Sequence, residues 1–197
     1  VRVEIMSSAG TLTADRVEIT GVQASPSASP ASICFSTDDR VPSNDPRDAR
    51  LMPIGCSAWL FGDHGSTFLS AGHCGPGGGD VIKFNVPFWT MGGGYKNPPP
   101  QDQYVVDAAS AQLQNGGPTL GNDWGFFGVF DNTGTGMTPL EAQGESHTLA
   151  TQQIANDGRP IRITGYGSTS APISPTWNGV QKTHTGPFQG YSGNVVR

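Results

Sequence analysis

Phe68-Leu69-Ser70-Ala71-Gly72-His73-Cys74 decides how this chain is read: an apolar run ends in small residues, then a histidine, then a cysteine. The pattern predicts the end of a strand that delivers an imidazole. Eighteen positions upstream, Cys56 sits inside a second apolar run, Ile54 to Phe61. The two runs read as antiparallel neighbours that a Cys56-Cys74 disulfide could staple, fixing His73.

On these residues the sequence resembles the chymotrypsin-like (trypsin-like) serine peptidases, whose histidine lies in the setting apolar-(S/T)-A-(A/G)-H-C with a cysteine partner upstream. The resemblance implies an all-β fold, a chymotrypsin-like double six-stranded β-barrel, and a Ser-His-Asp mechanism that needs no cofactor. A lead-in containing Asp38-Asp39-Arg40 and then Pro53-Ile54-Gly55-Cys56 is similar to secreted bacterial members related to glutamyl endopeptidases, as is Gln181-Lys182-Thr183-His184-Thr185-Gly186-Pro187.

Composition agrees with the all-β expectation. Among 197 residues, 28 Gly and 16 Pro punctuate the chain every few positions, which disfavours long helices and favours short strands joined by turns. A formal charge of −5 without a Lys/Arg cluster argues against nucleic acid or an anionic membrane as partner. No apolar run approaches the ~20 residues of a spanning helix. Val1-Arg2-Val3-Glu4 does not open a signal peptide, so any signal is expected to have been removed or left off, and the chain is expected to be secreted.

The second stretch with chemistry in it is Gly121-Asn122-Asp123-Trp124-Gly125-Phe126-Phe127-Gly128-Val129-Phe130, an acid at the entry to a strongly apolar strand. There a carboxylate is partly desolvated and needs a donor, and His73 is a fitting one. In the resembling family an N-D-(I/W)-(A/G)-apolar segment carries the triad aspartate, which makes Asp123 the expected partner of His73. The alternative is that Asp123 merely caps a turn. Asp107, after Tyr104-Val105-Val106, is the runner-up acid, but Ala108-Ala109-Ser110 offers no buried strand to hold it. His64, His147 and His184 read as surface or strand histidines.

Between these stretches, Gly75-Pro76-Gly77-Gly78-Gly79 reads as a turn. It is no phosphate loop, because no Lys-Ser/Thr pair follows. Val81 to Val86 reads as a strand, Met91 to Asp102 as a long surface loop, Tyr104-Val105-Val106 and Ser110 to Leu113 as two short strands, and 131–144 as loop. Asn156-Asp157-Gly158 is a turn of the type that joins hairpin strands. Ile161 to Gly167 is similar to the G-(W/Y)-G strand that enters the second barrel. The charged lead-in from Asp38 to Arg50 reads as a solvated loop. A calcium site on Asp38, Asp39, Asp45 and Asp48 is the sharper alternative, though without EF-hand spacing. The three cysteines and four histidines show no paired metal-ligand spacing, so no zinc is expected.

The family's G-(D/N)-S-G-(G/S)-P nucleophile segment has no counterpart here. Ser192 in Gly190-Tyr191-Ser192-Gly193-Asn194 is a superficial match, followed by Val195-Val196 where Gly/Ser-Pro belongs. The resemblance therefore implies a nucleophile beyond Arg197, on a C-terminal remainder of the same precursor that acts as partner. Residues 1–33 are expected to form an extension or strap. Residues 34–197 would then form the peptidase domain, with a first barrel at about 50–131 and the start of the second at about 145–197. Cys34, left over from the pairing, is expected to bridge to another polypeptide. The expected activity is a secreted serine endopeptidase acting on protein or peptide substrates. A chain ending at Arg197 suits a preference for Arg/Lys before the scissile bond, and the bacterial resemblance suits Glu equally. A peptidase-like binding module without activity is the alternative.

Overall fold

Large apolar residues recur at alternate positions between Ala49 and Val129, and the six strands that carry them close on themselves. The structure, a computed structural model, describes residues 37–91, 94–115, 122–192 and 195–196. After a short strand β1 (Val41–Pro42), the chain forms β2 (Asp48–Met52), β3 (Cys56–Leu60), β4 (Thr67–Ser70), β5 (Val81–Lys83), β6 (Gln103–Asn115) and β7 (Asp123–Val129). These six make a closed barrel in the order β2-β3-β4-β7-β6-β5, and every neighbouring pair is antiparallel. Closure removes the free edges that an open six-stranded sheet would present.

The barrel interior is aromatic. Phe68 and Phe127 stack at 5.7 Å between centroids, and Phe84 meets the edge of Tyr104 at 5.9 Å. Leu51, Leu60, Ile82 and Val106 fill the remainder, all essentially without exposure. Each such side chain contributes about 1.5–3 kcal/mol of burial, so the barrel is a rigid frame for what its strand ends carry.

Four expectations need correction, two of them in the stretch from β6 to Gly144. Tyr104-Val105-Val106 and Ser110 to Leu113 are not separate strands: β6 runs through all thirteen residues, with its register to β7 slipping between Asp107 and Gln112. The interruption at Asp107-Ala108-Ala109-Ser110 is that irregularity. Ser110 Oγ accepts from the backbone N–H of Gly128 at 2.7 Å and donates to the carbonyl of Asp107, so the bulge keeps its hydrogen bonds. In the stretch 131–144, read as loop, Pro139–Gln143 forms a short helix α1. Thr138 and Glu141 close a reciprocal capping box there, and Gly144 ends the helix in the left-handed conformation.

A second sheet holds β1, β9 (Lys182–Pro187) and β8 (Pro160–Gly165), in that order, and a small hairpin joins β10 (Tyr191–Ser192) to β11 (Val195–Val196). Because β8 pairs with β9, the Asn156-Asp157-Gly158 turn only leads into β8 and does not join hairpin partners. Three of the four lead-in carboxylates are not solvated, contrary to the sequence reading, and only Asp39 is exposed. Asp38, Asp45 and Asp48 are buried, and the first two are each gripped by an arginine two residues on, Arg40 Nε to Asp38 at 2.7 Å and Arg47 Nε to Asp45 at 2.8 Å. The Arg40 guanidinium holds the Asp38 carboxyl at about 2, well below its ordinary value. The same segment ties the barrel to the second sheet. Tyr166 Oη donates to the Asp48 carbonyl at 3.0 Å, Gln181 Nε2 donates to the Asp45 carbonyl at 3.0 Å, and Arg162 reaches the Asp45 carboxylate at 2.7 Å.

At the start of β9, the buried Lys182 ammonium donates to the carbonyls of Trp177 (2.7 Å) and Val180 (2.8 Å). Desolvation, with Arg40 and Arg50 adding to it and Asp38 opposing, pushes this lysine down to about 7. In the unfolded chain the same group keeps its proton to about 10.4. Between those values the unfolded state binds more protons, so stability rises with pH through this window and is flat with respect to Lys182 below it. Urea denaturation at pH 7 and pH 9 should show a gain of about 2 kcal/mol attributable to this group. The variant Lys182→Met should lose that gain; an unchanged pH dependence in the variant would refute the assignment.

Candidate active site

Strand register brings His73 and Asp123 together. β4 pairs with β7 so that Ser70 faces Gly125, and continuing that antiparallel register by two residues places Gly72 opposite Asp123. The chain turns there: Gly72–Cys74 form a single 3-10 turn, closed by the Gly75 N–H to the Gly72 carbonyl at 3.0 Å, with Gly75 left-handed at φ 54°. His73 is thus held at the rim of the barrel, over the entry of β7.

The turn lies so close to the sheet that residue 72 has no room for a side chain. A Cβ on Gly72 would stand 2.0 Å from the Gln114 carbonyl oxygen and 2.7 Å from that of Trp124. Gly125 permits the same approach from below, where a Cβ would meet Leu113 at 3.1 Å and the Ala71 carbonyl at 3.4 Å. Two further ties fix the turn to the barrel. Cys74 is disulfide-bonded to Cys56 of β3, and Ser70 Oγ donates to the Ser57 carbonyl at 2.8 Å.

Asp123 grips His73 through both carboxylate oxygens. Oδ1 accepts from the His73 backbone N–H at 2.7 Å, and Oδ2 lies 2.6 Å from the ring Nδ1. An ionised carboxylate can only accept, so Nδ1 carries the proton and the neutral ring presents a free lone pair at Nε2. The carboxylate side chain is 8% exposed and the imidazole 46%. One is shielded from competing water, while the other is half open to solvent, with Nε2 3.8 Å from the Cys74 sulfur, which as part of a disulfide has no proton to donate to it. A ring oriented, tautomerically fixed and half-open in this way can take a proton from an approaching hydroxyl and return it to a leaving group.

The other singled-out residues lie elsewhere. Asp107 accepts from the Ala109 N–H at 3.0 Å within the β6 irregularity and takes no part in the His73 clasp. His64 is exposed beside Asp63, and His184 lies 3.2 Å from Asp39. His147, expected on the surface or in a strand, is buried, with Nε2 3.3 Å from Asp48 Oδ1 and its backbone bridged to Phe61. Asp45, Asp48 and His147 come near enough to share an ion. The Asp45 carboxylate is already engaged by Arg47 and Arg162, a poor setting for a second cation. Cys56, His73 and Cys74 cluster as well, but the disulfide leaves no thiolate for zinc. Cys34 and residues 1–33 lie outside the described residues. Ser192 is in β10, paired with Val195.

No protein-family model matches the sequence, and no curated protein matches it. Among solved structures, the chain is similar to a mutant of human heparin binding protein (CAP37), with 14% identity and a TM-score of 0.52 over 77% of this chain. The chain spans 66% of that protein's length. With the closed barrel and the second sheet, the likeness establishes a chymotrypsin-like fold.

Proposed function

We propose that this chain is the histidine- and aspartate-bearing part of a secreted serine endopeptidase. The observation that carries the reading is the two-point grip of Asp123 on His73, on the ring Nδ1 and on the backbone N–H at once. Ordinary surface ion pairs do not fix a ring in this way, whereas a general base that must alternate with a general acid needs it. In this reading His73 is the base and then the acid, and Asp123 orients it and stabilises the imidazolium. A serine from the polypeptide that completes the second barrel attacks the scissile carbonyl. The disulfide suits an oxidising compartment, and no helix among the described residues is long and apolar enough to cross a membrane. The finer kinship with secreted bacterial members rests on the Asp38-Asp39-Arg40 lead-in, Pro53-Ile54-Gly55-Cys56 and Gln181 to Pro187.

The absence of a G-(D/N)-S-G-(G/S)-P segment from these 197 residues favours a second reading, a binding module on a peptidase-like frame. The structural neighbour is itself named for binding heparin. A net charge of −5 makes this chain a poor match for a polyanion. One experiment separates the two readings. The full precursor, or this chain with its completing polypeptide, is treated with a fluorophosphonate probe. Labelling of a serine on the completing polypeptide, abolished by His73→Ala, is the expected result. Labelling that survives His73→Ala removes His73 from the mechanism, and no labelling of the intact protein favours the binding module.

A further inference from the structure

A pocket of about 450 Å³ opens where the chain leaving β3, helix α1 and the segment 146–149 meet, and no residue of the His73 clasp lines it. That volume lies within the range of small-molecule sites. Phe61, Leu140 and Leu149 give it an apolar lining. Its walls are set by backbone hydrogen bonds. The His147 N–H donates to the Leu60 carbonyl at 2.8 Å and the Gly62 N–H to the His147 carbonyl at 2.9 Å, so His147 bridges Phe61 in parallel. The Leu140 N–H donates to the Gly65 carbonyl at 3.0 Å, which ties α1 to the turn that follows Gly62. The pocket is therefore preformed, and filling it requires no ordering of its walls.

Polar groups in the wall are engaged by the protein itself. Ser146 Oγ donates to the Gly62 carbonyl at 2.6 Å, and His147 Nε2 faces Asp48 at 3.3 Å. Among the described residues no lysine or arginine lines the pocket, so an anion finds no counter-charge there. Asp63 stands at the rim instead, with its side chain 97% exposed and only the equally open His64 beside it, at 3.7 Å. Glu145, one residue before Ser146, is a second exposed acid, offset in part by Arg47 Nε at 3.8 Å. The Phe61 ring adds a π surface, which attracts cations and not anions. Apolar walls with a carboxylate at the mouth suit a ligand that is apolar at one end and positively charged at the other.

We propose that this pocket binds a small amphipathic organic cation, an aromatic or alkyl group that carries an ammonium. The apolar group lies against Phe61, Leu140 and Leu149, and the ammonium stays at the rim with the Asp63 carboxylate. Removal of the apolar group from water supplies most of the affinity, because a charge pair as exposed as this one contributes little. Asp63 decides instead among ligands of one shape. The net charge of −5 works in the same direction, favouring the approach of a cation over that of an anion. Nothing in this site depends on the chemistry of His73.

The test uses three ligands that share a phenylethyl group: 2-phenylethylammonium, 2-phenylethanol and 3-phenylpropanoate, titrated into the whole chain at matched ionic strength. Methyl resonances of Leu140 and Leu149 in proton–carbon spectra, assigned through Leu140→Met and Leu149→Met, report occupancy. The ammonium should give a saturable shift in the millimolar range, as befits a ligand of about nine non-hydrogen atoms. The alcohol should bind about threefold more weakly, the loss of one exposed charge pair, and the carboxylate about tenfold more weakly, since repulsion replaces attraction. Asp63→Asn changes an exposed side chain and should bring the ammonium down to the affinity of the alcohol. Leu149→Ala should weaken all three alike, about fourfold, the loss of roughly one buried methylene of contact. Should Leu149→Ala fail to fold, Asp63→Asn carries the comparison alone. No saturable shift with the ammonium, equal or tighter binding of the alcohol or the carboxylate, or a cation preference that survives Asp63→Asn overturns the proposal.

Discussion

In the proposed endopeptidase, Asp123→Asn should lower kcat/KM about ten-thousandfold, close to 5.5 kcal/mol of transition-state stabilisation, with the barrel intact. The reason lies in the doubled grip. Asp123 accepts two hydrogen bonds from His73, one from the backbone N–H and one from Nδ1. Asparagine keeps a single side-chain acceptor. If its oxygen stays on the backbone N–H, its NH₂ group faces Nδ1 and the ring must move its proton to Nε2, the nitrogen that should accept from the nucleophile. If it flips, the backbone N–H meets another donor and the turn is lost. Nitrogen chemical shifts of His73 would show the tautomer change directly. A variant within tenfold of the parent enzyme would mean that Asp123 holds the turn but does not serve the chemistry.

Gly72→Ala should cost about 3 kcal/mol of stability, at the upper end for overpacking, and at least a hundredfold in kcat/KM. The atoms a new Cβ would strike are the backbone carbonyls of Gln114 and Trp124, at 2.0 and 2.7 Å, so no side chain can swing aside. Either the turn lifts from the sheet, carrying His73 off Asp123, or β6 and β7 part at their paired ends. Gly77→Ala is the control: its Cβ would meet only the Gly75 carbonyl, at 3.7 Å, and the change should stay within about 0.5 kcal/mol. Thermal melts and steady-state kinetics of the two variants give the comparison. Equal behaviour would show that the turn has slack and that close packing at residue 72 does not position the histidine.

Several elements were legible along the chain because their signals are local. The apolar runs around Cys56 and before His73 are β3 and β4, and the run after Asp123 is β7. Alternation is a property of neighbouring residues, and a strand with one buried face must show it. The β6 irregularity misread as a gap, and α1 went unread, for a related reason. A bulge is defined by its partner strand, and a five-residue helix is too short to show a period. The lead-in misled because Asp38, Asp45, Arg40 and Arg47 have the composition of a solvated turn. Their burial depends on Ser170, Arg162 and Gln181, which lie more than a hundred residues on.

By itself the sequence determined the all-β class, the strands that flank the site and the two residue types a His–Asp pair requires, since each is written in a few consecutive positions. Tertiary structure supplied the means by which Asp123, expected from the resemblance, meets His73 in place of the runner-up Asp107: Asp123 opens β7, whose register with β4 sets it opposite the His73 turn. It alone also decided that His147 is buried against Asp48, and that Arg50 and Lys83 lie side by side with no counter-charge among the described residues. A charge in a sequence carries no sign of its depth. Depth is set by what the far parts of the chain pack against it, and one residue of strand register is enough to change every such neighbour.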